Sequence, residues 1–251
     1  MRIQSEALVA RAIAYGESDS IVTLITEAKG KLGVMVRGAR KSWKRVGGSL
    51  EPFHTIEVTF DDKGGDLGVL REARIVRVRA KIVERLEALE AAGTALRWAR
   101  HLFPVRTPEP EGWAALIELL EVLERAETPP RVALASAAMK LLAAVGYALE
   151  LEQCVQCGRP CPETRPAYIE PARGGIVCRA CGGGSRLDGT SEAQPRRGQH
   201  LIEPELRSVA RGLQGGDGPA ATDAQAADIL ALVEDAMAAH AGYDPTRKGG
   251  A

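Results

Sequence analysis

Leu67 to Val78 (LGVLREARIVRV) is the stretch that decides the fold, because the chain changes its hydrophobic period just after this segment. Apolar Ile75, Val76 and Val78 alternate with Arg74, Arg77 and Arg79, as in a strand with one buried face. The adjacent pair Ile75 and Val76 breaks the alternation, which predicts a β-bulge there. After Ala80 the period becomes 3.6: Ile82, Leu86, Leu89, Leu96 and Phe103 fall on one helical stripe, which Pro104 ends. A β-rich N-terminal part and a helical remainder should therefore meet near residue 80.

Working back from this boundary, Thr55 to Phe60 (TIEVTF) alternates Ile56, Val58 and Phe60 with Thr55, Glu57 and Thr59. Leu32 to Val36 and Ser20 to Ala28 are short, β-branched and bounded by glycine. Ala7 to Tyr15 fits a strand or a helix by pattern, and its glycine-bearing neighbours and the strands that follow favour a strand. Asp61 and Asp62 and the Lys63-Gly64-Gly65-Asp66 run read as a hairpin turn. Five strands in about eighty residues suit the five-stranded OB-fold barrel, a scaffold that binds nucleic acids.

Working forward, Trp113, Leu116, Ile117, Leu120 and Leu123 mark a second helix, and Leu134, Leu141, Leu142 and Val145 a third. Ile202 to Leu213 and Ala224 to Ala239 add two more. Between the third and fourth lie residues 150–198, rich in Cys, Pro and Gly and without helical period. The expected fold is α+β in two domains. Residues 1–80 form the OB-fold barrel, residues 81–149 and 199–245 a helical domain, and residues 150–198 a zinc-binding insertion within it.

All 5 cysteines lie in that insertion. Cys154 and Cys157, then Cys178 and Cys181, form two C-x-x-C-G knuckles, a spacing that suits one structural zinc in a closed four-thiolate shell. Disulfides are the competing reading, disfavoured for a chain read as cytosolic. Cys161 reads as a bystander, with replacement of one ligand as the alternative.

Charge is uneven although the chain as a whole is neutral: residues 1–81 carry 15 Lys and Arg against 10 Asp and Glu, and the remainder carries 18 against 23. The densest basic run is Arg37 to Arg45 (RGARKSWKR). Arg37, Arg40, Lys41, Lys44 and Arg45 are candidate phosphate contacts, and Trp43 could stack on a base. The alternative is a solvated turn with Trp43 folded onto the core. Arg71, Arg74 and Arg77, with Arg79 and Lys81 beyond them, make a second stripe. The four histidines, His54, His101, His200 and His240, have no nucleophile or acid close in sequence, and no phosphate-loop, zinc-protease or serine-hydrolase motif occurs. The reading is not an enzyme. No apolar run of membrane-spanning length and no apolar leader occur, so a cytoplasmic, non-membrane protein is expected.

Tyr15-Gly16-Glu17-Ser18 after the first strand, Arg37-Gly38-Ala39-Arg40 after the third and Leu50-Glu51-Pro52-Phe53 before the fourth, together with the paired C-x-x-C motifs, give the chain a pattern that resembles the bacterial RecO recombination mediators. The resemblance implies an OB-fold, a helical domain and a zinc module. It further implies binding of single- and double-stranded DNA, annealing of complementary strands, and partnership with RecR in loading RecA onto DNA coated by single-strand-binding protein. That protein's acidic C-terminal tail is expected to dock on the helical part, with Arg125, Arg131 and Lys140 as candidate local cations. An association with the nucleoid follows. The alternative is an RNA-binding or transcription-associated protein, since OB-folds and zinc ribbons also serve there.

Overall fold

A computed structural model describes residues 1–38, 50–62, 64–182, 198–215 and 218–244. The chain divides into two compact units, Met1–Pro130 and Arg131–Ala251.

In the first unit, β1 (Arg2–Tyr15), β2 (Asp19–Thr26), β3 (Gly30–Val36), β4 (Thr55–Asp61) and β5 (Leu67–Arg77) close a barrel in the order β1-β2-β3-β5-β4. Of its five pairings only β3 with β5 is parallel. This is the OB-like barrel expected from the strand count. Its core holds Ile3, Val9, Val22, Leu24, Leu32, Val34, Ile56, Val58, Phe60 and Leu70, most of them at alternate positions of their strands. The expected bulge is present: Thr55 pairs with Arg77 and Ile56 with Ile75, leaving Val76 as the extra residue. A second shift leaves out Arg71, and another in β1 leaves out Ala10. Each bulge bends its strand, which a small closed barrel requires.

Beyond the barrel, the same unit contains α1 (Leu86–Leu102) and α2 (Pro110–Arg125). The first helical stripe differs from expectation. Leu86 is 68% exposed, and the buried face runs through Ala88, Ala91, Ala92, Ala95, Leu96, Trp98 and Ala99. Alanine lets a helix approach its neighbour closely, so a search for bulky residues misplaces the face. The turn at Gly30 shows the tightness of this packing: a Cβ there would sit 1.8 Å from the Thr107 carbonyl oxygen, and its φ of +64° suits glycine.

The second unit contains α3 (Pro130–Ala144), α4 (Pro204–Gly215) and α5 (Asp223–Ala241), with a three-stranded sheet ordered β7-β6-β8. Its strands are β6 (Ala167–Glu170), β7 (Gly175–Val177) and β8 (His200–Ile202), all antiparallel. Ile202, expected at the start of a helix, closes β8 instead, and Pro204 opens α4, where its missing N–H costs nothing. No described helix is long and apolar enough to cross a membrane.

Candidate metal centre and nucleic-acid interface

The two knuckles are assembled by backbone hydrogen bonds within the second unit. At the first, Gly158 N donates to Cys154 O at 2.8 Å and Cys154 N to Arg159 O at 2.9 Å. Gly158 has φ +70°, a left-handed turn that suits glycine. At the second, Cys181 N and Gly182 N both donate to Cys178 O, at 3.0 and 2.8 Å. Gly182 serves differently from Gly158: a Cβ there would lie 2.6 Å from the Tyr168 ring, so glycine is needed for close approach to β6. Val155 N donates to Ile176 O at 2.9 Å, tying the first knuckle to the strand that leads into the second.

This scaffold brings Cys154, Cys157, Cys178 and Cys181 together, with all four sulfurs within 4.8 Å of one another. Cys157 Sγ and Cys178 Sγ are 3.8 Å apart. A tetrahedral shell with metal–sulfur bonds of ~2.3 Å sets its sulfurs about 3.8 Å apart, so the donor set fits such an ion. Burial pushes the Cys154 thiol up, but backbone N–H groups of Cys178, Gln156 and Cys157 outweigh it and bring the thiol to about 6. Cys181 is pushed up to about 12, first by its bond to the Cys178 sulfur and then by the Cys157 sulfur. Three sulfurs close by disfavour a fourth negative charge unless a cation is shared among them. Cys161 is buried nearby, outside this group, with its Sγ 3.9 Å from Arg159 O.

Sequence reasoning missed Arg207 on α4, which is 1% exposed. Its guanidinium donates to the carbonyls of Leu151, Cys161 and Pro162 at 2.6, 2.8 and 3.0 Å, and to Glu152 O at 3.4 Å. Glu150 holds the same loop from the other side, its Oε1 accepting from the N–H groups of Glu152 and Gln153 at 2.7 and 3.0 Å. No periodic signal marks either residue.

Of the expected DNA contacts, Arg40, Lys41, Trp43, Lys44 and Arg45 lie outside the described residues. Arg37 is exposed just past the end of β3. The β5 stripe is present, but its charges are met within the protein. Arg71 donates to Asp61 at 2.7 Å, Arg74 to Glu57 at 2.6 Å and Arg77 to Glu121 at 2.7 Å. These bonds hold the Asp61, Glu57 and Glu121 carboxyls below the usual carboxylate range.

Arg79, the stripe's next member, is buried. It donates to Phe53 O, Thr55 Oγ1 and Glu121 at 2.9, 3.0 and 2.8 Å, so it fastens α2 to the entry of β4. Its backbone N–H donates to His54 Nδ1 at 3.1 Å, which accounts for that histidine structurally. Of the cations considered for a peptide tail, Arg131 is paired with Asp223 and Arg125 lies 4.0 Å from Glu127.

Residues 1–79 match the family described as recombination protein O, N terminal, and residues 83–203 match recombination protein O, C terminal. The chain is 32% identical over 240 residues to the DNA repair protein RecO of Anaeromyxobacter dehalogenans (strain 2CP-C), covering 95% of this chain and 89% of the relative. It is 35% identical over 221 residues to the DNA repair protein RecO of Myxococcus xanthus, covering 84% and 89%. With the DNA repair protein RecO of Geobacter sulfurreducens the identity is 37% over 180 residues, 72% of this chain and 73% of that one. With both halves matched in order, a closed five-stranded barrel in the first and clustered cysteines in the second, the chain belongs to the RecO family of DNA repair proteins.

Proposed function

We propose that the protein is a non-enzymatic recombination mediator. It binds single- and double-stranded DNA, anneals complementary strands and, with RecR, helps load RecA onto DNA coated by single-strand-binding protein. The observation that carries this reading is membership of the RecO family across both halves of the chain, joined to a barrel of a kind suited to nucleic acids. Residues 1–80 are the nucleic-acid module. Arg37, Arg40, Lys41, Lys44 and Arg45 neutralise phosphates, Trp43 stacks on a base, and Arg71, Arg74 and Arg77 are secondary contacts that exchange a carboxylate for a phosphate. Residues 81–149 and 199–245 receive the single-strand-binding protein tail. Residues 150–198 hold one structural zinc through Cys154, Cys157, Cys178 and Cys181. With four thiolates the shell leaves no open position for a substrate, so the ion stabilises and does not catalyse. Such a protein works in the cytoplasm at the nucleoid.

The test is annealing of complementary strands coated by single-strand-binding protein, with and without RecR. Annealing by the protein alone and RecA loading only with RecR are expected; failure to anneal naked strands would overturn the reading. Replacing Arg40, Lys41 and Lys44 together should flatten the salt dependence of single-strand binding by about two units of slope, at ~0.7 per phosphate.

A further inference from the structure

The outer face of the barrel carries a row of apolar side chains that its core does not use. In the strand register Ile13, Ile21 and Met35 lie side by side across β1, β2 and β3, and Val69 of β5 continues the row beside Met35. Val22, Val34 and Leu70, each one residue along from a member of the row, belong to the core, so the row faces outward. Ile13 is exposed and the other three are half-buried. The next outward position of β1 is Tyr15, which is 53% exposed and pairs with Asp19 at the end of the β1–β2 hairpin. The pairing of β1 with β4 ends at Ala7, so this end of the hairpin stands clear of the strand that closes the barrel.

The end of β3 is held against the same hairpin. Gly38 N donates to Asp19 Oδ1 at 2.8 Å, and Ser18 Oγ donates to the same oxygen at 3.3 Å. Val36 belongs to the core, and Arg37, one residue on, is exposed beside Asp19. Tyr15 and Arg37 are thereby fixed two strands apart, about 10 Å by strand spacing, along one edge of the apolar row. The densest basic run of the sequence starts at this Arg37. Single exposed apolar residues need no explanation. Here an aromatic ring, an aliphatic row and a guanidinium are contiguous, on a barrel of the kind whose second and third strands receive oligonucleotides. They supply what holding a single strand requires: a ring face for one base, an apolar floor for the next, and a cation for the phosphate. A duplex keeps its bases stacked on one another and leaves the ring nothing to hold. Glu17, exposed in the turn, repels phosphate, so the favoured path leads from Tyr15 across Met35 and away from the hairpin tip.

We propose that Tyr15 stacks on a base of single-stranded DNA, with Ile13 and Met35 beneath the neighbouring base and Arg37 on the phosphate between them. This rests on the DNA-binding reading above and deepens it: the outer face of β1, β2 and β3 is a surface that accepts a single strand and not a duplex.

The test compares single strand, duplex and abasic strand on the full chain. Tyr15→Ala should weaken binding of a single-stranded oligonucleotide about tenfold, within what the loss of one stacked base costs. Its salt slope should stay at the wild-type value, because stacking releases no counter-ions. Tyr15→Phe, which keeps the ring, should bind as the wild type does. Affinity for a duplex of the same sequence, and for a strand of abasic nucleotides, should be equal in Tyr15→Ala and the wild type. Unchanged single-strand affinity in Tyr15→Ala, with wild-type binding intact, would overturn this surface and leave the functional reading standing. Equal losses on single strand, duplex and abasic strand would make Tyr15 a structural residue and overturn the stacking. Reduced self-association at unchanged DNA affinity would assign the patch to a second copy of the chain and overturn it as well. No DNA binding by the wild type would overturn both this surface and the reading it rests on.

Discussion

Arg79 in the barrel unit and Arg207 in the cysteine-bearing unit are each 1% exposed, and each joins a helix to irregular chain. Arg79 faces a carboxylate: Glu121 on α2 receives both its Nε and its Nη2, while Phe53 O and Thr55 Oγ1 take the remaining bonds. Arg207 faces four backbone carbonyls, and no ion pair to it occurs among the described residues. The difference follows from what each unit lacks. The barrel satisfies its backbone through the strand ladders and has a continuous apolar core, so its buried cation needs only a counter-ion. The cysteine module has strands of three or four residues, and its loops leave carbonyls that no ladder can pair. One guanidinium with five fixed donors satisfies several of them at once. The barrel is held by burial and ladders; the cysteine loop is held by donors brought in from outside it.

The largest effect expected from this contrast is at the sulfurs. Structural zinc in small peptides supplies ~10–16 kcal/mol of apparent binding free energy. Cys154→Ser should therefore lose the metal and unfold the loops around residues 150–182, with the barrel strands unaffected. Amide hydrogen exchange on the metal-loaded protein and its chelated form checks this. Protection lost equally in both units would show that the barrel depends on the metal after all.

Next is Glu121→Ala, which leaves Arg79 buried without its counter-ion. Breaking a buried pair costs roughly 3–5 kcal/mol, and the lower end applies here because Glu121 keeps some contact with solvent. Denaturant unfolding should register the loss in the barrel unit, with the metal content unchanged. Arg207→Met should cost a similar amount, about 3 kcal/mol. It removes the charge along with the donors, and each orphaned carbonyl costs ~1–3 kcal/mol before water reaches it. Its signature should be weaker metal retention under competition by a chelator, which Glu121→Ala should not show. If the two variants gave the same pattern, the division of labour between the arginines would fail.

The sequence made the barrel legible because β4 and β5 alternate at period 2, β2 and β3 are β-branched runs bounded by glycine, and the Ile75–Val76 irregularity marks a bulge found at Val76. It made the ligand set legible because two knuckles of fixed spacing leave few geometries. It did not show β6, β7 and β8, whose three or four residues are too few for a period to emerge. Nor did it show that α1 buries alanines in place of Leu86, since packing closeness is a property of the partner surface. The charge pattern was the least legible. Arg71, Arg74 and Arg77 resemble a free basic stripe until Asp61, Glu57 and Glu121 are placed opposite them across strands or on α2.

The smallest effect separates the two arginines by pH. Bonds from Arg77 and then Arg79, set against burial, hold the Glu121 carboxyl below its ordinary value. A depressed carboxylate contributes stability that is fully present above its unfolded pKa and is lost as pH falls through the folded one. The Arg79 anchor should therefore weaken from about pH 4 downward, near the ordinary glutamate value. The carbonyls that hold Arg207 do not titrate, so that anchor should keep its strength over the same range. Glu150 on that loop is kept low by the N–H groups of Glu152 and then Gln153, with the Arg207 charge adding the least. Unfolding free energy measured between pH 6 and pH 3 should fall less steeply for Glu121→Gln than for the wild type. Arg207→Met should lower the whole curve and change its slope much less than Glu121→Gln does, because Arg207 is the last of the groups that keep Glu150 low. A Glu121→Gln curve parallel to the wild type would mean that Glu121 binds its proton equally in the folded and unfolded chain, and that Arg79, like Arg207, is held by its neutral partners.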